Sequence, residues 1–154
     1  MQNYVKSQTR LAFVQYIFQT EFINDEAEAS IEEFQTHFYN SNIAAINEKK
    51  ELKLKFNKNF LNKLNNSFSD IDKKSIIKDV NNFNKIDRNF ENWNNVLKSL
   101  IFGFISEIKI TDSKKISIVF NDYLNISKSL LSPKETKLMN AILQKYLDKH
   151  EFKN

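Results

Sequence analysis

Residues 96–108 read Val96-Leu97-Lys98-Ser99-Leu100-Ile101-Phe102-Gly103-Phe104-Ile105-Ser106-Glu107-Ile108. In a helix running from Phe90 to about Ile108, Val96, Leu97, Leu100, Ile101, Phe102, Phe104, Ile105 and Ile108 leave almost no polar side. A helix apolar nearly all round belongs in the middle of a bundle, enclosed by others. Gly103 inside it costs roughly 1 kcal/mol relative to Ala and predicts close packing against a neighbour. Composition argues against a sheet. The 154-residue chain holds 1 Gly and 1 Pro, whereas tight hairpins need residues that accept positive φ. The fold class expected is all-α, one domain over residues 1–154.

Working outward, Ile108–Ser113 makes a turn, and a helix from Lys115 to Leu130 buries Ile116, Val119, Phe120, Tyr123 and Ile126. Ser132-Pro133-Lys134-Glu135 then opens the last helix: Ser132 caps, Pro133 takes the position that needs no N–H, and Glu135 closes the box. Leu138, Met139, Ile142, Leu143, Tyr146 and Leu147 form its apolar face, and the end from Lys149 to Asn154 is expected to fray. In the other direction, the polar stretch Asn81–Arg88, anchored by Phe83 and Ile86, marks a seam between two helical halves. Ser69 resembles an N-cap, with Asp72 three residues on, for a short helix through Val80. A long helix is expected over Ile43–Phe68, carrying Ile46, Leu52, Phe56, Phe60 and Leu64, with Lys49, Lys50, Lys53, Lys58 and Lys63 on a solvated face. An earlier one begins near Asp25, with Glu28 as its capping box and Ile31, Phe34 and Phe38 as its stripe. The first helix spans Ser7 to Ile23 through Leu11, Val14, Phe18 and Phe22.

Enzymatic chemistry finds little to stand on. A single Gly excludes phosphate-cradling loops, dinucleotide fingerprints and nucleophile elbows. Cys is absent, and His37 and His150 lie on different helices, so no zinc ligand spacing exists. Asp70 with Asp72 and Asp87 with Glu91 read as caps and surface charge rather than acid–base pairs. The lack of Cys fits a reducing cytoplasm. No stretch approaches the ~20 apolar residues of a membrane span. Net charge +4 and a pI near 9.1 permit an anionic partner without requiring one. Lys and Asn have A/T-rich codons, so neither their abundance as cations nor as loop formers carries much weight.

Three motifs carry more. Ile118-Val119-Phe120-Asn121-Asp122 leads into Ile126-Ser127-Lys128-Ser129, and nine residues after Lys128 comes Lys137-Leu138-Met139-Asn140-Ala141-Ile142-Leu143. This resembles the C-terminal signature of the NusB family, in which V-x-I-N-E precedes L-A-K-S/K and then K-F-V-N-G-V-L-D. Arg10-Leu11-Ala12-Phe13-Val14-Gln15-Tyr16-Ile17-Phe18 looks like the family's first helix, R-x-x-A-x-Q-x-L-Y, and Val96-Leu97-Lys98 is similar to its I-L-R. The resemblance implies a NusB-like helical bundle of about seven helices in two halves, with no cofactor and no reaction. It also implies a cytoplasmic transcription antitermination factor that binds boxA-containing single-stranded RNA together with NusE, a small-subunit ribosomal protein. RNA polymerase is then an indirect partner, no membrane is involved, and a homodimer is a state that some members adopt.

Carried onto this chain, the RNA-binding candidates are Lys6, Arg10, Gln15, Lys128, Lys134 and Lys137, and the partner-binding candidates are Phe18 and Trp93. Lys6 and Arg10 stand one helical turn apart and can face one phosphate path; solvated charge near a terminus is the plainer alternative. Trp93 is read either as a partner anchor or as core. Inter-helix hydrogen bonding is the expected role of Asn121 and Asn140. Departures from the family pattern are specific. The Arg-rich N-terminal segment is reduced to Lys6 and Arg10, the aromatic of K-F-V-N is Leu138, and the acidic turn before it is Ser132-Pro133-Lys134. An alternative is therefore a NusB-fold protein-interaction module without boxA recognition, and a second is an unrelated helical scaffold.

Overall fold

The structure, a computed structural model, describes residues 1–23, 31–38, 42–43, 52–53, 55–83 and 89–150. At its centre helix α5 (Asn95–Ile108) is buried at every residue from Leu97 to Ile108, as its all-round apolar pattern requires. Asn94 caps it by accepting a hydrogen bond from the Val96 N–H at 2.7 Å. Its serines satisfy themselves within the helix, Ser99 Oγ donating to Asn95 O and Ser106 Oγ to Phe102 O.

The helices preceding and following it form the wrapping: α1 (Asn3–Ile17), α2 (Ile31–Phe38), α3 (Lys58–Asp70), α4 (Lys73–Phe83), α6 (Ile116–Leu130) and α7 (Pro133–Lys149). Helices α1, α3 and α6 pack directly on α5, while α7 bridges α4 and α6. One apolar core takes buried side chains from all seven helices, including Phe13, Phe34, Leu64, Val80, Tyr123 and Leu143. Gly103 explains how closely α1 and α6 approach. A Cβ there would meet Tyr123 Cε1 at 3.3 Å, Val14 Cγ2 at 3.5 Å and Ile17 Cδ1 at 3.6 Å. The fold is all-α. Among the described residues the only strands are the two-residue pair β1 (Asn42–Ile43) and β2 (Leu52–Lys53), antiparallel to each other. No helix of the described residues is long and apolar enough to cross a membrane.

Four helices differ in their boundaries from those expected. The helix placed from Phe90 starts only at Asn95, after a separate 3-10 turn over Phe90–Asn92 and the Asn94 cap. The helix placed at Ile43–Phe68 starts only at Lys58: the pair β1–β2 occupies part of its first half, and Asn57 Oδ1 caps α3 by accepting from the Phe60 N–H at 2.8 Å. Ser69 does not cap α4. It lies inside α3 and donates back to Asn65 O, while Asp72 Oδ1 accepts the Ser75 N–H at the true start. Helix α1 begins earlier, at Asn3, and passes into a π-helical turn over Phe18–Phe22 that lays Phe22 parallel to Phe102 at 6.4 Å. The box at Asp25 and Glu28, the side chains of Ile46, Lys49, Lys50 and Lys53, and most of the polar seam lie outside the described residues, as does the chain beyond His150.

Candidate nucleic-acid interface

Arg10 turns inward from α1 toward α5 and α6. Its Nε donates to both carboxylate oxygens of Glu107, at 2.9 and 3.0 Å, and its Nη2 adds a third contact at 2.7 Å. Nη1 donates to Asp122 Oδ2 at 2.7 Å, and Ser7 Oγ to Asp122 Oδ1 at 2.8 Å. Tyr123 Oη donates to Glu107 Oε1 at 3.1 Å. The arginine side chain is 7% exposed and that of Glu107 3%. Burial alone would lower the guanidinium pKa, but the hydrogen bonds and charges of Glu107 and then Asp122 outweigh it and hold it above its ordinary value. Burial first, then the charge of Glu107, pushes the Tyr123 phenol well up, so it remains a donor.

This corrects the expectation for Arg10. A buried carboxylate needs a paired cation, and α5 carries one in Glu107. Arg10 therefore holds three helices together, with its donors engaged, rather than facing an RNA phosphate. The signal was present in the sequence: an acidic residue inside the apolar run of α5 demands a counter-charge somewhere in the chain.

The lysines remain in solvent or near it. Lys6 is half-buried at the edge of a groove between α1 and α6; Lys128, Lys134 and Lys137 are exposed. Lys128 stands in the last turn of α6, and Lys134 and Lys137 in the first two turns of α7. Leu131 and Ser132 form the short link, fixed by the Leu131 N–H donating to Ser127 O at 2.8 Å. The predicted capping box is present, Ser132 Oγ accepting the Glu135 N–H at 3.2 Å while the Glu135 carboxylate accepts from the Ser132 N–H at 3.3 Å. Three cations thus share the α6–α7 corner. Gln15 is exposed but nine residues beyond Lys6, which on a helix turns it about 180° away. It does not join the Lys6 edge.

The two partner-binding candidates sit together at neither of these places. Phe18 is half-buried in the π-helical turn. Trp93 is only 9% exposed, packed against Phe90 at 5.7 Å in the short 3-10 turn (Phe90–Asn92) before α5. The core reading of Trp93 is the one the geometry supports, and it departs from the partner-anchor expectation. Beside it Lys98, 6% exposed, donates to Glu91 O at 3.1 Å and lies over the rings of Phe22 and Phe90. Burial there pulls its ammonium below the usual range, the charge of Glu91 opposing the effect.

Asn140 accepts from Gln144 Nε2 on its own helix, and Asn121 is exposed on α6, so neither makes the inter-helix hydrogen bond expected of it. Reading the chain also missed a second ionic group. Asp79 of α4 accepts from Lys149 Nζ at 2.5 Å and lies 2.9 Å from His150 Nε2, fastening the end of α7 across the bundle.

A family model described as the NusB family matches residues 7–148. The chain belongs to the NusB family. At family level this makes it an RNA-binding transcription antitermination protein, in a family of regulators without catalytic activity. Searches of curated proteins and of solved structures give no match. Compared with the NusB motif, Leu138 is half-buried against the core where the family has an aromatic residue.

Proposed function

We propose that this NusB-family protein binds boxA-type single-stranded RNA jointly with NusE in the cytoplasm and so contributes to antitermination on ribosomal RNA operons. Contact with RNA polymerase follows only through that assembly. The observation that carries the reading is the family match over residues 7–148. The grouping of Lys128, Lys134 and Lys137 at one corner supports it, because single-stranded RNA is held by cations that track its backbone. Phe18 remains the candidate contact for NusE. Arg10 acts indirectly, by seating the helix that presents Lys6.

The reduced cation set argues for weak affinity alone and a large gain with NusE. Titrating boxA-containing and scrambled RNA, with and without NusE at one stated salt concentration, tests this. Preference for boxA that strengthens on adding NusE is the expected result. Equal, NusE-independent binding of both RNAs would favour the second reading, a protein-interaction module on the NusB fold. That reading draws on Arg10 being internally engaged and on the missing aromatic at Leu138.

A further inference from the structure

The groove between the start of α1 and the outer face of α6 is about 540 Å³ in volume. Three of the five large apolar residues most exposed among the described ones line it: Met1 at 61%, Ile110 at 50% and Ile118 at 63%. Ile110 stands on a hydrogen-bonded turn, with its N–H donating to Glu107 O at 3.0 Å and Thr111 Oγ1 donating to the same oxygen at 2.6 Å. Ile118 is in the first turn of α6. Exposed aliphatic side chains gathered in one concavity and held on ordered backbone mark an interaction surface.

We infer that this groove docks a short amphipathic protein segment whose aliphatic anchors cover Ile110 and Ile118 and whose acidic flanks meet Lys6 and Lys115. The chemistry distinguishes this occupant from RNA. Bases of a single strand are held by aromatic stacking, but the aromatic side chain in the lining, Phe60, is half-buried with the Arg10 guanidinium 5.7 Å from its ring, and the most exposed apolar side chains are aliphatic. The groove floor holds Arg10 against two carboxylates, Glu107 and Asp122, so a phosphate descending to it meets a surplus of negative charge. An apolar anchor meets no such opposition, and a helix laid in a groove is recognised through anchors at turn spacing. Besides the paired Arg10, the cations of the lining are Lys6 and Lys115. The corner formed by Lys128, Lys134 and Lys137 plays no part in this inference, which shares only Lys6 with the boxA reading.

The test uses the whole chain and three labelled probes: a synthetic Leu/Glu amphipathic peptide of about four helical turns, its Leu/Lys counterpart, and U-rich RNA. The Leu/Glu peptide should bind at least about tenfold more tightly than the Leu/Lys one. The pair Ile110→Ser and Ile118→Ser, which removes the anchors without adding charge, should weaken it by about tenfold or more, as loss of central anchors does, and leave RNA affinity unchanged. Both side chains are exposed, so an unaltered melting temperature is expected; if it falls, the single variants Ile110→Ser and Ile118→Ser replace the pair. The inference is overturned if neither peptide binds, if both bind equally, or if the isoleucine variants lose RNA instead. It is also overturned if the parent self-associates and Ile118→Asp makes it monomeric, because the occupant is then a second copy.

Discussion

Arg10 joins three helices through one side chain, and its removal leaves Glu107 nearly enclosed with no cation. Breaking a buried pair from one side is far more costly than the pair is stabilising. Arg10→Ala should therefore lower unfolding free energy by about 3–5 kcal/mol in urea titrations. Arg10→Lys should recover only part of this, because an ammonium cannot reproduce the guanidinium fork. The salt dependence of RNA binding by a folded Arg10→Met variant should match the parent's, whereas loss of a direct phosphate contact would lower the slope by about 0.7. Asp79 behaves differently because it titrates. Burial would raise its pKa, but the hydrogen bonds from Lys149 and His150 outweigh this and hold it below the ordinary 3.8. A lowered carboxylate contributes stability that is present above 3.8 and lost as pH falls through the depressed value. Tyr146, pushed up to about 12 by burial and by the charge of Asp79, has the opposite sign: its contribution is full below 10.0 and lost as pH rises toward 12. Asp79→Asn should flatten the acid limb of a melting-temperature profile, and Tyr146→Phe should remove part of the alkaline one.

Among the elements, α7 has the most explicit start. Ser132→Ala removes the acceptor of its capping box and should cost about 1 kcal/mol, read as a fall in melting temperature. In α5, Gly103→Val adds two methyl groups beyond a Cβ that already meets Tyr123 Cε1 at 3.3 Å. Overpacking of that kind should destabilise by about 1–3 kcal/mol in the same measurement. Both features are legible in the chain itself, because proline at the first helical position and glycine in an otherwise apolar helix each have few explanations. The start of α3 was not. Phe56, Phe60 and Leu64 keep helical spacing across its boundary, so periodicity runs on through a break that only Asn57 marks. Asn is too abundant to carry weight as a loop former, yet Asn57 and Asn94 both open helices. Ser69 misled for the converse reason: a serine can bond back to the turn before it and stay helical. The placing of the candidate lysines at the α6–α7 corner was legible, since it follows from their spacing. The engagement of Arg10 depends on residues about a hundred positions away.

For the molecule as a whole, charge placement matters more than net charge. Each phosphate contact on a single strand contributes about 0.7 to the slope of log affinity against log salt. Replacing Lys128, Lys134 and Lys137 with Ala should flatten that slope by up to about 2. Replacing the exposed Lys63, Lys74 and Lys78 removes equal charge from α3 and α4 and should leave the slope nearly unchanged. An equal response of the two triple variants would mean diffuse attraction to a basic protein. The clasp at Arg10 has one more consequence, in time rather than in space. Its carboxylate partners follow it by 97 and 112 residues. At roughly 5–20 residues per second, a ribosome reaches Glu107 about 5–20 s after it has made Arg10. During that interval the first helix exists without the charge that seats it. The oldest part of the nascent chain is thus among the last to lock, and the bundle closes only when its C-terminal third arrives.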